Sequence, residues 1–509
     1  MTIVVNINGR TYSDDDDPDT GMGAGGHRRL LLPLVHDIVT VAGAVASAAE
    51  GTATKAAQAS ASSTAAAASA AVASSAGANA TAAAAAVAAL ASGSATARAT
   101  VPPSLLLPFA SGRFVDPRLV FGRSSTAQRI NGRGQVEAVL AGVPRLAHDP
   151  MSLACQGVMV EAAATNLLLH SSDLSQSAWN KSTVVGLDAT RYLAPDGTMS
   201  AWRVYETATT AQHTVSQAFN VVASTTYTVS AFVKAAERTR VRVYMGSLAN
   251  QVASNIVELN LLTGEYTTPD PSRTRVEAYP NGWYRVSATS TTIAAPGASC
   301  SLSVQVIATA NVSSYTGDGA SGVLVWHGQA ELGELSTSPI PTAGAQTTRT
   351  AETCPLSVGA WLRQGEGTLY AEFIRAAAVS TGAAPVVLSL NDGTASNRVA
   401  LVLVRNAVSG ASQVAASITS GGVDVTSTAA VIAAGAVVRV MVAYRALDAA
   451  LYVNGVEVWA GTGAAIPAAL STLCLGADSA GANQVNGVLG CVAYFPARLA
   501  AVQCIAMTA

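Results

Sequence analysis

Residues 437–460 read VVRVMVAYRALDAALYVNGVEVWA. VVRVMVAYR, ALYV and VEVWA are three β-type runs, parted by Ala446-Leu447-Asp448 and by Asn454-Gly455. Asn-Gly between alternating runs is a strong hairpin signal, because a type I′ turn requires positive φ at both central residues. The same alternation recurs in YTVSAFVK (227–234), where Tyr227, Val229, Ala231 and Val233 share one face. From Val101 to the end, valine and threonine alternate with polar residues, and Gly, Asn and Asp punctuate them. This is a β-rich chain, and the spacing predicts two β-sandwiches, over 165–350 and 351–509. The 98–164 stretch is too short for a large core. It is expected to form a connector or collar of strands and loops shared between chains.

Upstream the character changes. Leu31, Leu34, Ile38, Val41 and Val45 step by three and four, the a/d seam of a coiled coil, and the frame returns at Val87 and Leu90. About half of residues 41–100 are alanine, the best helix former. A helix over 33–92 would be roughly 90 Å long at 1.5 Å per residue. Residues 33–97 are therefore expected to be an alanine-rich stalk, stopped by Pro102-Pro103. Residues 1–32 carry the run Asp14, Asp15, Asp16, Asp17, then His27, Arg28 and Arg29. A like-charge run of this kind is a solvated arm or a peg that orders on docking.

Composition narrows the functions. The chain has 509 residues, a net charge of −2 and only 12% charged residues, so no basic surface suits a dedicated nucleic-acid binder. The six cysteines, at 155, 300, 354, 474, 491 and 504, form no metal-ligand spacing. No secretory leader is read in MTIVVNINGRTYSDDDD, and TAAAAAVAALA (81–91) is too short to span a bilayer. No membrane insertion is expected.

Phe114-Val115-Asp116-Pro117, Phe121-Gly122-Arg123-Ser124-Ser125, Pro144-Arg145, His148-Asp149-Pro150, Gly157 to Glu161 and Thr165-Asn166 resemble the connector of tailed-bacteriophage fibre and spike proteins. Asn281-Gly282-Trp283-Tyr284-Arg285, Tyr315-Thr316-Gly317-Asp318-Gly319, Gln329-Ala330-Glu331, Thr348-Arg349 and Glu352 resemble the carbohydrate-binding-like jelly roll that follows it there. Leu451 to Gly455, Leu475-Gly476 and Gly487 to Tyr494 are similar to laminin-G/concanavalin-like modules. The resemblance implies a homotrimeric virion fibre assembled in the host cytoplasm. Its N-terminus would meet virion tail, portal or neck proteins, and its distal domains would bind host surface polysaccharide.

Sugars stack on aromatic rings while polar side chains take their hydroxyls. In strand 240–245, Arg240, Arg242 and Tyr244 share one face against Val241, Val243 and Met245. Trp283 and Arg285 share another, and Trp179 and Trp202 belong to the same domain. These seven are the candidate glycan contacts. Asp318 between two glycines suits a tight turn or a calcium ligand, and no other cofactor is expected. A depolymerase would need two carboxyls on one face. The candidate strands hold one each, Glu372 and Glu457, and Glu258 and Glu265 flank a turn, so no enzyme is expected. The fold class expected is thus mainly β: an N-terminal α-helical coiled-coil stalk, then two antiparallel jelly-roll-like β-sandwiches in tandem. The function expected is a tail fibre, with a head or neck decoration fibre and a polysaccharide depolymerase as the alternatives.

Overall fold

The computed structural model describes residues 2–17, 19–22, 30–31, 33–45, 101–112, 115–181, 184–334, 336–375 and 384–509. It divides into two units, 1–84 and 85–509.

In the first unit, strands Val4–Ile7 and Arg10–Ser13 form a hairpin through Asn8 and Gly9, both at positive φ. Residues 33–45 are helical, and the buried Asp37 of this helix accepts hydrogen bonds from Tyr12 Oη (2.5 Å) and Asn8 Nδ2 (3.2 Å). The acidic run is not a bare arm. Asp14 Oδ1 accepts from the Ile3 amide, and Asp17 Oδ1 accepts from the amides of Asp19 and Thr20. Those amides hold the Asp17 carboxyl below its ordinary range. On the helix, Leu31, Ile38, Val41 and Val45 are exposed and Leu34 is partly covered. A coiled-coil stalk is not among the described features. Val87, Leu90, His27, Arg28 and Arg29 lie outside the described residues.

In the second unit, the alternating runs become strands as their patterns dictate. One sandwich pairs a seven-stranded with a six-stranded antiparallel sheet. The first contains Val185–Leu193, Met199–Glu206, Gly322–Leu332, Thr226–Ala235 and Trp283–Thr292 in that order. The second contains Ile256–Asn260, Arg240–Gly246, Ser299–Ile307 and Thr214–Asn220 in that order. Tyr227, Val229, Ala231 and Val233 meet Val241, Val243 and Met245 in the core between the sheets.

The other sandwich is built on Glu366–Arg375, Val437–Arg445, Asp448–Val453 and Val456–Gly461 in one sheet, facing Val386–Asn391, Arg398–Arg405 and Ser412–Ser420. The Asn454-Gly455 turn has φ of 46° and 81°, and Val453 pairs with Val456 across it. The C-terminal helix Ala501–Thr508 covers the outer face of this sheet, with Cys504 packed among Tyr370, Met441, Tyr452 and Phe495.

The expected tandem order is corrected. Strands Leu105–Leu107 and Cys155–Val160 both pair with Gly487–Phe495, and Leu146–His148 pairs with Cys155–Val160. Leu105, Leu107, Phe109, Val158 and Val160 lie in the same core as Leu369, Phe373, Leu401 and Tyr494. The connector is therefore part of the C-terminal sandwich, and the 165–350 sandwich is inserted between its strands. The ingoing strand Ala164–Asn166 and the outgoing strand Thr347–Arg349 run side by side as an antiparallel stem. Pairing partners so far apart in the chain leave no local signal, so the nesting is invisible to a periodicity reading.

Candidate functional site

Strand Arg240–Gly246 places Val241, Val243 and Met245 in the core and turns Arg240, Arg242 and Tyr244 outward. Glu258 lies directly across from Arg242 on the neighbouring strand. Its Oε2 accepts from Arg242 Nε at 2.9 Å, its Oε1 lies 3.6 Å from Arg240 Nη1, and it also accepts the Asn311 amide. One buried carboxylate thus fixes two guanidinium groups that remain partly exposed, 33% for Arg240 and 15% for Arg242. Gln305 flanks Arg242 on the opposite side. The result is a rigid polar row with a phenol ring beside it, the chemistry that hydroxyl-rich ligands require.

The other four candidate contacts, Trp179, Trp202, Trp283 and Arg285, are buried, each 5% exposed or less; this corrects the three tryptophans, whereas Arg285 reaches the wall of a cleft. The indole N–H groups of the three tryptophans donate to the carbonyls of His170, Ser172 and Leu193 respectively. The Arg191 guanidinium stacks on the Trp202 ring. Trp283 lies on the outer face of the seven-stranded sheet, with Phe232, Tyr279, Leu324 and Trp326. That face is covered by Ile130 and Val136 of the connector, from the antiparallel strands Ala127–Ile130 and Val136–Val139, and by Tyr192 and Ala194. Alternation identifies the face but says nothing of a distant segment lying over it.

The residues matched between the connector and the domain exit converge on one buried ion network. Glu352 accepts from Arg123 Nη1 and Arg145 Nε, both at 2.7 Å. Glu161 accepts from Arg145 Nη2 at 2.8 Å, and Arg349 lies 3.5 Å away from it. Burial alone would raise the Glu161 carboxyl, but Arg349, Arg145 and Ser338 outweigh it and hold it well below the usual carboxylate range. Gln329 and Glu331 also prove structural. Gln329 Oε1 accepts the Ile340 amide, and Glu331 accepts the Thr337 amide and hydroxyl, which straps 336–340 onto the sheet. The sequence motifs carry these residues, but their mutual contact is long-range and was not legible.

A cleft of about 370 Å³ opens where the connector, the inserted sandwich and the C-terminal sandwich meet. Its walls include Gln156, Arg275, Glu277, Arg285, Ser336 and Thr337. No sequence signal pointed to it, because its walls come from three parts of the chain.

Asp318 is occupied by its own turn. Its Oδ1 accepts the amides of Ala320 and Ser321, and Oδ2 accepts Ser321 Oγ. Among the described residues, no three His, Cys, Asp or Glu side chains cluster to hold a metal ion. Glu372 is paired with Arg439 at 2.8 Å, and Glu457 lies exposed on the edge strand Val456–Gly461. Among the described residues, no helix is long and apolar enough to cross a membrane.

No family model matches the chain, and no curated protein matches it. Several solved structures resemble parts of it. Domain 4 of AbnA, an extracellular arabinanase from Geobacillus stearothermophilus, solved with arabinotriose, is 13% identical (31% of this chain, 73% of that one, TM-score 0.25). The tandem CBM22 domains of Paenibacillus barcinonensis Xyn10C are 11% identical (66% and 99%, TM-score 0.23). Domains LG4-5 of the mouse laminin alpha1 chain are 13% identical (60% and 90%, TM-score 0.19). Similarity at this level leaves the function of the chain to its own geometry.

Proposed function

We propose that this chain is the adhesive subunit of a tailed-bacteriophage fibre, binding host surface glycan through the inserted sandwich. The observation that carries the reading is the outward row Arg240, Arg242 and Tyr244, organised by the buried Glu258 on a rigid sheet. The exposed apolar side chains Leu31, Ile38, Val41 and Val45 on the N-terminal helix support self-association as a parallel homotrimer. The N-terminal unit then attaches to the virion, and weak glycan sites gain avidity by repetition, by ~10²–10⁴. No hydrolytic step, nucleic acid, metal or membrane span enters this reading. In this reading the fibre is a tail fibre.

A second reading, a head or neck fibre without a specific ligand, is favoured by the burial of Trp179, Trp202 and Trp283. Retention of the full chain on immobilised host polysaccharide separates the two. The adhesin reading expects saturable binding that drops at least tenfold per folded molecule in Arg242→Ala/Tyr244→Ala. Absence of saturable binding, or binding indifferent to both substitutions, would overturn it.

A further inference from the structure

Arg285 breaks a rule of protein interiors. A buried charge normally has a partner, because an uncompensated one is strongly disfavoured in low dielectric. Arg285 is only 4% exposed. Its Nη2 donates to Ser230 Oγ at 3.2 Å, its guanidinium lies over the Phe232 ring, and its Nε has no hydrogen-bond partner among the described residues. Among the described residues no carboxylate forms a salt bridge with it, although the buried Glu331 feels its charge. Glu277 stands directly across the strand pair, yet Glu277 Oε1 is taken by Arg275 at 2.7 Å. Its Oε2 is buried and likewise has no hydrogen-bond partner among the described residues. Both Arg285 and Glu277 line the 370 Å³ cleft, as do the Ser336 and Thr337 side chains of the strap.

Around Arg285, burial raises the Glu331 carboxyl and holds His327 uncharged by pushing it down to about 3. An anion seated against Arg285 would neutralise it, and a hydroxyl on the same molecule would donate to the free Glu277 Oε2.

We propose that the cleft is a second ligand site and that it takes an acidic sugar, a hexuronate unit, with its carboxylate on Arg285 and a ring hydroxyl on Glu277. The cavity matches one sugar ring with its immediate neighbours, near the lower end of small-molecule sites, ~300–1,000 Å³. This deepens the glycan-binding reading and rests on it, but it concerns a different surface from the Arg242 face.

The test is calorimetric titration of the full chain with sodium D-glucuronate, with D-glucose and sodium acetate as separate arms. Glucuronate is expected to bind, with glucose and acetate at least tenfold weaker. Arg285→Gln is expected to weaken glucuronate at least tenfold, and Glu277→Gln to bring glucuronate towards acetate. If Arg285→Gln does not fold, Met151→Trp decides: Met151 is a cleft-wall residue 44% exposed, so the larger ring narrows the cleft without entering the core. Absence of glucuronate binding to the full chain overturns the inference. So does unchanged affinity in a folded Arg285→Gln or Met151→Trp, or equal binding of acetate. Polysaccharide retention through the Arg242 face stands or falls separately, so each failure is recognisable.

Discussion

Removing the inserted sandwich should leave a foldable protein, whereas removing the connector should not. In the first variant, residues 165–348 of the second unit are replaced by Asn-Gly, so that Ala164 and Arg349, which face each other in the stem, close as a two-residue hairpin. In the second, the chain begins at residue 351. That variant loses Leu105, Leu107, Phe109, Val158 and Val160, all 2% exposed or less. At ~1.5–3 kcal/mol per buried side chain, the five together represent roughly 8–15 kcal/mol, an upper estimate. A whole domain is stable by only ~5–15 kcal/mol. It also strips both partner strands from one edge of Gly487–Phe495, near Leu489 and near Val492, leaving only Glu366–Arg375 on the other edge, and leaves Glu352 without Arg123 and Arg145. Circular dichroism and thermal melting of the purified proteins decide the matter. The hairpin-closed variant should melt cooperatively, and the 351–509 fragment should be aggregated or lack a cooperative transition. A soluble 351–509 fragment melting within a few degrees of the full chain would refute the nested core.

Other outcomes follow from single residues. Glu352→Gln takes the carboxylate from the buried Arg123 and leaves the buried Arg145 with Glu161 alone, so a loss of ~3–5 kcal/mol in denaturant unfolding is expected, and Arg123→Met should cost much less in that background than alone. His327 is held neutral in the fold, pushed down to about 3, and takes up a proton near 6.5 when unfolded. The unfolded chain then binds more protons between those values, so stability falls as pH drops from about 6.5. His327→Asn, which tolerates the left-handed backbone at this position, should flatten that slope in urea titrations at pH 6 and pH 4. Glu161 adds a second loss as pH falls below the ordinary glutamate range, because its folded carboxyl titrates lower than its unfolded one. Trp283→Ala should destabilise by ~3–5 kcal/mol while leaving polysaccharide retention per folded molecule unchanged, which separates packing from contact.

Local signals were read well where the physics is local. The Asn454-Gly455 turn and the faces of 227–234 and 240–245 need only alternation and backbone sterics, and all stand as expected. Trp283 and Arg285 share one face as their spacing predicts, yet the part of that face around Trp283 is closed by a connector some 150 residues upstream, which no strand pattern encodes. Arg123, Arg145, Glu161, Arg349 and Glu352 stood out as motif residues, but an ion network is a property of the assembled junction. The cleft is harder still to read, since an unpaired guanidinium looks like any other arginine in a row of letters. The acidic run at 14–17 resembles a solvated arm because composition does not reveal that its carboxylates cap their own turns.

The antiparallel stem has a consequence for the order of events during synthesis. Glu161 and the Glu352 carboxylate that accepts its amide are 191 residues apart. Bringing such distant points together in an open chain carries an entropic penalty of roughly 4–5 kcal/mol. The inserted sandwich is complete once residue 350 has left the ribosome, and its folding draws the two ends to strand spacing, ~4.8 Å. The interruption then acts as a clasp: the split C-terminal core meets its missing strands already aligned, and the later half of the chain closes on a preformed edge.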